Sequence, residues 1–269
     1  MPESRPRSIP EVVALKRAGT PIVMVTCYDA AFARLLDAAG VDVLLVGDSV
    51  NTVVTGHGTT LSATLPQMIY HAAAVRRGAP KAPLVVDLPF GTYQASIEDA
   101  VRNSARVLQE TGANAVKLEG GAPMVPTVRA LVDRGIPVVG HLGLLPQSVH
   151  ASGGYRVQGR GVEAADQLLA DARALEAAGA AMIVLELIPA KLAQRVSEAL
   201  TIPTVGIGAG VGCDGQVLVL YDLLGLDESF NPRFLKKYAQ LGRAARDAVA
   251  AFADDVRQRR YPAAEHSFE

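Results

Sequence analysis

Residues 41–49 read VDVLLVGDS, an apolar run that closes on the acid Asp48. Three further runs repeat the pattern: APLVVDLPF (82–90) reaches Asp87, NAVKLEGG (114–121) reaches Glu119, and AAMIVLELIP (180–189) reaches Glu186. Continuous apolar segments rich in Val, Leu and Ile suit parallel strands covered on both faces. An acid at the end of such a strand stands at its carboxyl edge, where α/β proteins build their sites. Four acids on four strands point to carboxylates converging on one cleft.

Four more runs complete a set of eight: PIVMVTCYD (21–29), IPVVGHLG (136–143), IPTVGIGAG (202–210) and GQVLVLYDLLG (215–225). Amphipathic stretches separate most of them, clearest at 30–39, 96–111 and 162–178, each followed by a Gly that stops a helix. Eight alternations predict a (βα)8 TIM barrel over an open doubly wound sheet. The eighth unit is the weakest, because 214–222 reads as strand or as irregular chain. Ser8 and Glu11 frame a capping box for a short helix over 9–17 before the barrel, and one or two helices over 232–258 follow it. Helices outside the repeat suit subunit contacts or rim cover. With 269 residues, no linker and no repeat of fixed period, residues 1–269 read as a single (βα)8-barrel domain, for which roughly 250 residues is usual.

Composition narrows the function. A net charge of −1 supplies no field for nucleic acid or an anionic membrane. Trp is absent, so base-stacking platforms are not expected. No apolar run approaches the ~20 residues of a membrane helix. The start, MPESRPRSIP, lacks the apolar stretch of a signal peptide, and Cys27 and Cys213 stand apart from any Cys or His cluster. A reducing cytoplasm and small-molecule substrates are the expectation.

Strand parity locates the chemistry. Lys117 and Glu119 are two apart and share a face, whereas Val116 and Leu118 point to the covering helices. Charge on the helix-packed face is costly, so Lys117 and Glu119 are expected at the barrel mouth, as a space-filling ion pair or as functional groups. Clustered carboxylates repel unless protons or a cation intervene. An all-oxygen shell of Asp48, Asp87 and Glu119 suits Mg²⁺, with Mn²⁺ or Co²⁺ as substitutes; either Asp could instead cap its turn. Ser49 offers a hydroxyl and an amide to a substrate carboxylate, or is a turn former. His141 ends the fifth strand and offers a hydrogen bond to substrate, or is a satisfied barrel histidine. Glu186, set in apolar surroundings, suits a general base for a carbon acid better than a fourth metal ligand. The glycines of GIGAG (206–210) suit phosphate binding or tight backbone packing equally.

Over nearly its whole length the chain resembles the ketopantoate hydroxymethyltransferase family. The resemblance rests on GDS (47–49), YHAAAVRRGAP (70–80), DLPFGTY (87–93), KLEGG (117–121), GHLGLLPQS (140–148), GGYRVQGRG (153–161), VLELIPAKLA (184–193), GIGAG, DGQVLV (214–219) and YPAAEHSF (261–268). It implies a (βα)8 barrel that binds Mg²⁺ and assembles as a homodecamer. The implied reaction moves a hydroxymethyl group from 5,10-methylenetetrahydrofolate to 3-methyl-2-oxobutanoate through a Mg-stabilised enolate, giving 2-dehydropantoate for pantothenate and coenzyme A. Matched position by position, Asp48, Asp87 and Glu119 fall on the metal site, Asp48, Ser49, Asp87 and Lys117 on substrate contacts, and Glu186 on the catalytic base. One stretch departs: where the family commonly has Leu-Gly-Met, this chain has Val50-Asn51-Thr52. The nearest alternative is a Mg-dependent lyase or mutase of the phosphoenolpyruvate mutase and isocitrate lyase kind. The lyases carry a cysteine in a KKCGH-like loop, and nothing similar surrounds Cys27 or Cys213. A Schiff-base aldolase using Lys117 and a non-catalytic barrel are the other rivals.

Overall fold

The computed structural model describes residues 8–268. Two compact units divide the chain, Met1–Leu218 and Val219–Glu269. The first holds eight strands: β1 (Ile22–Thr26), β2 (Val43–Val46), β3 (Leu84–Asp87), β4 (Ala115–Glu119), β5 (Val138–Gly143), β6 (Met182–Glu186), β7 (Thr204–Ile207) and β8 (Gly215–Leu218). They pair in sequence order, all parallel, and β1 pairs with β8 to close the barrel. Closure rules out the open doubly wound sheet.

Its helices are α1 (Ile9–Arg17), α2 (Ala30–Ala39), α3 (Val50–Val53), α4 (Leu65–Gly78), α5 (Ile97–Thr111), α6 (Val125–Val132), α7 (Val149–Ser152), α8 (Val162–Ala177) and α9 (Ala190–Ala199). Local chemistry sets their ends. Asp29 caps α2 through bonds from the Ala31 and Phe32 amides, and Ser96 caps α5 through the Asp99 amide. Gly40 and Gly112 end those helices in the left-handed conformation. Ser8 caps α1 by accepting from the Glu11 amide.

The barrel interior explains why the site sits at one end. Inward positions at the amino-terminal end are apolar: Ile22, Met24, Val43, Leu45, Val85, Ala115, Val139, Met182, Val205 and Val217 form one buried cluster, joined by Ile9 and Val12 of α1. Thus α1 closes that mouth, and Lys16 secures it by bonding the Ser197 and Ile202 carbonyls and Asp214. Two residues further along, the same inward parity places Asp87 above Val85, Lys117 above Ala115, His141 above Val139 and Glu186 above Val184, with Glu119 a further two beyond Lys117. The lumen therefore changes from apolar to ionic within one pleat.

The second unit contains α10 (Leu220–Leu223) and α11 (Leu241–Arg257). The run at 215–225 is thus a short strand followed by a helical turn, which resolves its ambiguous periodicity. Of the one or two helices expected over 232–258, one forms, from Leu241 to Arg257. Residues ahead of it are held irregularly: the Tyr238 amide bonds the Leu223 carbonyl, and Lys237 bonds the carbonyls of Asp227 and Glu228. Among the described residues, no helix is long and apolar enough to cross a membrane.

Candidate active site

Register brings the sequence-predicted residues together at the carboxyl end of the barrel. Asp87 lies opposite Lys117 in the β3–β4 ladder, and Glu119 opposite His141 in the β4–β5 ladder. Asp48 stands two residues beyond β2, in the turn that enters α3. That turn packs tightly: a Cβ on Gly47 would meet Ser49 Oγ at 2.7 Å, so a larger residue there would displace the Ser49 hydroxyl.

Asp48, Asp87, Lys117, Glu119 and His141 are all buried. Lys117 Nζ lies 3.0 Å from Asp87 Oδ1, and the Asp48 amide donates to Asp87 Oδ2 at 3.1 Å. Lys117, expected to work beside Glu119, is thus paired first with Asp87. His141 stands between two acids, its Nδ1 3.5 Å from Glu119 Oε1 and its Nε2 3.2 Å from Glu186 Oε2. The second contact is an ion-pair distance without hydrogen-bond alignment. Glu186 is therefore not in apolar surroundings: it is half-buried against an imidazole. Ser49 is half-buried, its Oγ 2.9 Å from the Tyr28 hydroxyl.

The charges respond to this crowding. Burial, then the neighbouring charges of Asp87 and Glu119, raise Asp48 to about 7. Burial also raises Asp87, against the opposing pull of Lys117. For Glu119, burial is outweighed by His141, Lys117 and the Gln147 amide, and its carboxyl is held below the ordinary range. Burial and Lys117 would lower His141, but its two carboxylate neighbours prevail and raise it to about 9. Lys117 Nζ also lies 3.2 Å from His141 Nδ1, a contact that favours a neutral ring. Two flanking acids outweigh one cation, so we take His141 as charged, with Nδ1–H toward Glu119. Burial opposes charge on Lys117 as well, but Asp87, Glu119 and Asp48 raise it well above the usual lysine value. An ammonium so held is a poor nucleophile, which argues against a Schiff-base role.

Two buried residues that sequence reasoning missed tie these acids together. Gln147 Nε2 donates to Asp48 Oδ2 at 2.9 Å, and the Gln147 amide donates to Glu119 Oε2 at 3.0 Å. The Tyr93 hydroxyl donates to Gln147 Oε1 at 2.7 Å and accepts from the Glu119 amide at 3.1 Å. Both lie inside the quoted motifs DLPFGTY and GHLGLLPQS, which was the only signal available.

The departing residue Asn51 is buried, and its Nδ2 donates to the Thr59 carbonyl at 2.7 Å and to Ser62 Oγ at 2.9 Å. It laces the loop that follows the acid turn. Two of the three glycines of GIGAG are closely packed: a Cβ on Gly206 would meet Cys213 Sγ at 2.9 Å, and one on Gly210 would meet Ala190 Cβ at 2.4 Å.

A family model described as ketopantoate hydroxymethyltransferase matches residues 7–264. The chain belongs to the ketopantoate hydroxymethyltransferase family. It is a transferase by that membership. Among its relatives, a 3-methyl-2-oxobutanoate hydroxymethyltransferase of Anaeromyxobacter sp. is 55% identical over 265 residues, covering 97% of this chain and 87% of the relative. One of the same name from Magnetococcus marinus is 54% identical, covering 97% of each. Solved structures share the fold at low identity. A 2,3-dimethylmalate lyase of the PEP mutase/isocitrate lyase superfamily has a TM-score of 0.60 at 18% identity, covering 94% of this chain and 89% of its own. A phosphonopyruvate hydrolase complexed with oxalate and Mg²⁺ has a TM-score of 0.61 at 13% identity, covering 96% and 92%. The lyase and mutase alternative thus survives as shared architecture, while the sequence relatives carry the family.

Proposed function

We propose that this chain transfers a hydroxymethyl group from 5,10-methylenetetrahydrofolate to 3-methyl-2-oxobutanoate, giving 2-dehydropantoate on the route to pantothenate and coenzyme A. In this reading it works in the cytoplasm as a Mg²⁺-dependent homodecamer. Relatives of that name at over half identity support the substrate assignment. The Asp48–Asp87 pair carries the reading of the site. Both acids are buried, both resist ionisation, and Lys117, 3.0 Å from Asp87 Oδ1, is a single ammonium beside two carboxyls. One ammonium does not balance these clustered acids, and their oxygen donors fit a hard divalent ion.

Among the described residues, no three His, Cys, Asp or Glu side chains stand as a ready metal shell. That suits Mg²⁺, which takes one or two carboxylates and completes its shell with water and substrate oxygens. Asp48 and Asp87 would hold it. Both Glu119 oxygens are engaged, by His141 and by the Gln147 amide, so Glu119 would act through a water. A bound ion supplies Lewis-acid stabilisation of the charge that develops on the keto oxygen.

The chain's own groups supply the rest. Lys117 offsets negative charge at the lumen wall beside Asp87. Ser49, braced by Tyr28, offers its hydroxyl and amide to the ketoacid carboxylate. Glu186 takes the C3 proton, a role typically worth ~10²–10⁴ in rate. His141, within 3.2 Å, fixes the Glu186 carboxylate. Carbon 3 then bonds to the one-carbon unit, water supplies the hydroxyl, and tetrahydrofolate leaves.

The apolar face of α11 supports self-association. Leu241, Val249, Phe252 and Val256 fall on one side of the helix and are exposed.

The direct test is an assay with 3-methyl-2-oxobutanoate, 5,10-methylenetetrahydrofolate and Mg²⁺, with and without chelator. Turnover to 2-dehydropantoate that the chelator abolishes is expected. No turnover, or turnover indifferent to chelation, would overturn the reading.

A further inference from the structure

We propose that Gln147 is a positioning residue for this reaction, its side chain and backbone together fixing the Asp48 and Glu119 carboxylates in the arrangement that the metal ion requires. The inference rests on the metal-site reading above and deepens it.

Gln147 is 5% exposed, yet every hydrogen-bonding position of its side-chain amide is used. Nε2 donates to Asp48 Oδ2 and to the Leu88 carbonyl, both at 2.9 Å. Oε1 accepts from the Tyr93 hydroxyl at 2.7 Å and from Gln94 Nε2 at 3.0 Å. These partners fix which end of the amide is which. The Leu88 carbonyl accepts only, so it must face the NH₂ group, and the Gln94 NH₂ must face the oxygen. Tyr93 adds direction, because its hydroxyl accepts from the Glu119 amide and spends its one proton on Gln147. The side chain is therefore locked in one orientation.

What it locks is functional. Asp48 follows β2 and Glu119 ends β4, so no single element sets their separation. Gln147, in the loop after β5, contacts both: its side chain holds one oxygen of Asp48, and its backbone amide holds one oxygen of Glu119. The N–H donor takes one lone pair of Asp48 Oδ2 and so sets the orientation of the carboxylate. Two buried acids that would otherwise repel are thereby held by neutral donors, without a charge that would compete with the cation. A lysine or arginine here would neutralise the site, and a glutamate would confront Asp48 and the Leu88 carbonyl with a further acceptor.

The test uses Mn²⁺ as the probe ion, its binding to the full-length protein followed by the EPR signal of free Mn²⁺. Melting of the metal-free protein is recorded alongside. Gln147→Met keeps size and apolar volume but removes every amide contact. It should bind Mn²⁺ about 10–100-fold more weakly than wild type, the usual cost of removing a partner that orients a metal ligand. Tyr93→Phe leaves Gln147 in place but removes one of the two donors to its oxygen, and should give a smaller loss in the same direction; it decides the matter should Gln147→Met fail to fold. A purely structural role would lower the melting temperature while the folded protein bound Mn²⁺ as tightly as wild type, and that result would overturn the proposal. Wild-type protein that takes up no Mn²⁺ would overturn the metal reading itself, and the proposal with it.

Discussion

Asp48 shows at the scale of one residue how function opposes stability. Its folded pKa, about 7, lies far above the ordinary carboxylate value, so the metal-free fold prefers the protonated acid. The sign follows: the folded state holds this proton more tightly than the unfolded state. The cost is absent below the unfolded value near 4, grows as pH rises, and is complete above about 7. Asp48→Asn keeps an oxygen for Gln147 and removes the charge. It should therefore stabilise metal-free protein at pH 8, on the order of 1–3 kcal/mol, while abolishing any stabilisation by Mg²⁺. Melting curves with and without Mg²⁺ at pH 4.5 and 8 check this; an unchanged Mg²⁺ response would remove Asp48 from the ion. Cys27 gives a second expectation. Burial pushes its thiol up to about 11, so at pH 8 it should be alkylated far more slowly in the folded protein than in urea. Rapid labelling under native conditions would contradict that packing.

Strands made much of the site legible, because a period of two is written in the chain. Parity in Ala115–Glu119 alone set Lys117 and Glu119 on the lumen side, and the ladders then placed His141 and Asp87 beside them. Loops carry no such period. Gln147 and Tyr93 reach the acids only through the path of the loops after β5 and β3, which depends on contacts far apart in sequence. For the same reason Glu186 was expected among apolar neighbours: its own strand is apolar, and the imidazole that faces it comes from the adjacent strand. Asn51 belongs to this level too. It replaces conformational freedom with two side-chain bonds across the loop to Thr59 and Ser62. Asn51→Gly should cost roughly 1–3 kcal/mol and speed amide exchange over residues 54–62. Exchange unchanged in that loop would show that the bonds do not hold it.

For the molecule as a whole, barrel order was readable from eight alternations, whereas the second unit was readable only in its long helix. There α11 begins later than its helical pattern suggests, since side chain–carbonyl bonds such as those of Lys237 hold the preceding chain. Its exposed Val249 and Phe252 are expected to sit between subunits in the proposed assembly. Val249→Asp with Phe252→Asp should shift the mass seen by light scattering to smaller species; an unchanged mass would exclude this face from the contact. Enolisation of the ketoacid is the step on which the whole account depends, and it proceeds without the folate. The decisive measurement is exchange of the C3 proton of 3-methyl-2-oxobutanoate with D₂O, followed by NMR in the presence of Mg²⁺. Wild-type enzyme should catalyse it, and Glu186→Gln, which keeps shape but lacks a basic oxygen, should lose about 10²-fold or more of the rate while binding Mg²⁺ normally. Exchange at the wild-type rate in Glu186→Gln would contradict the account and move the base elsewhere.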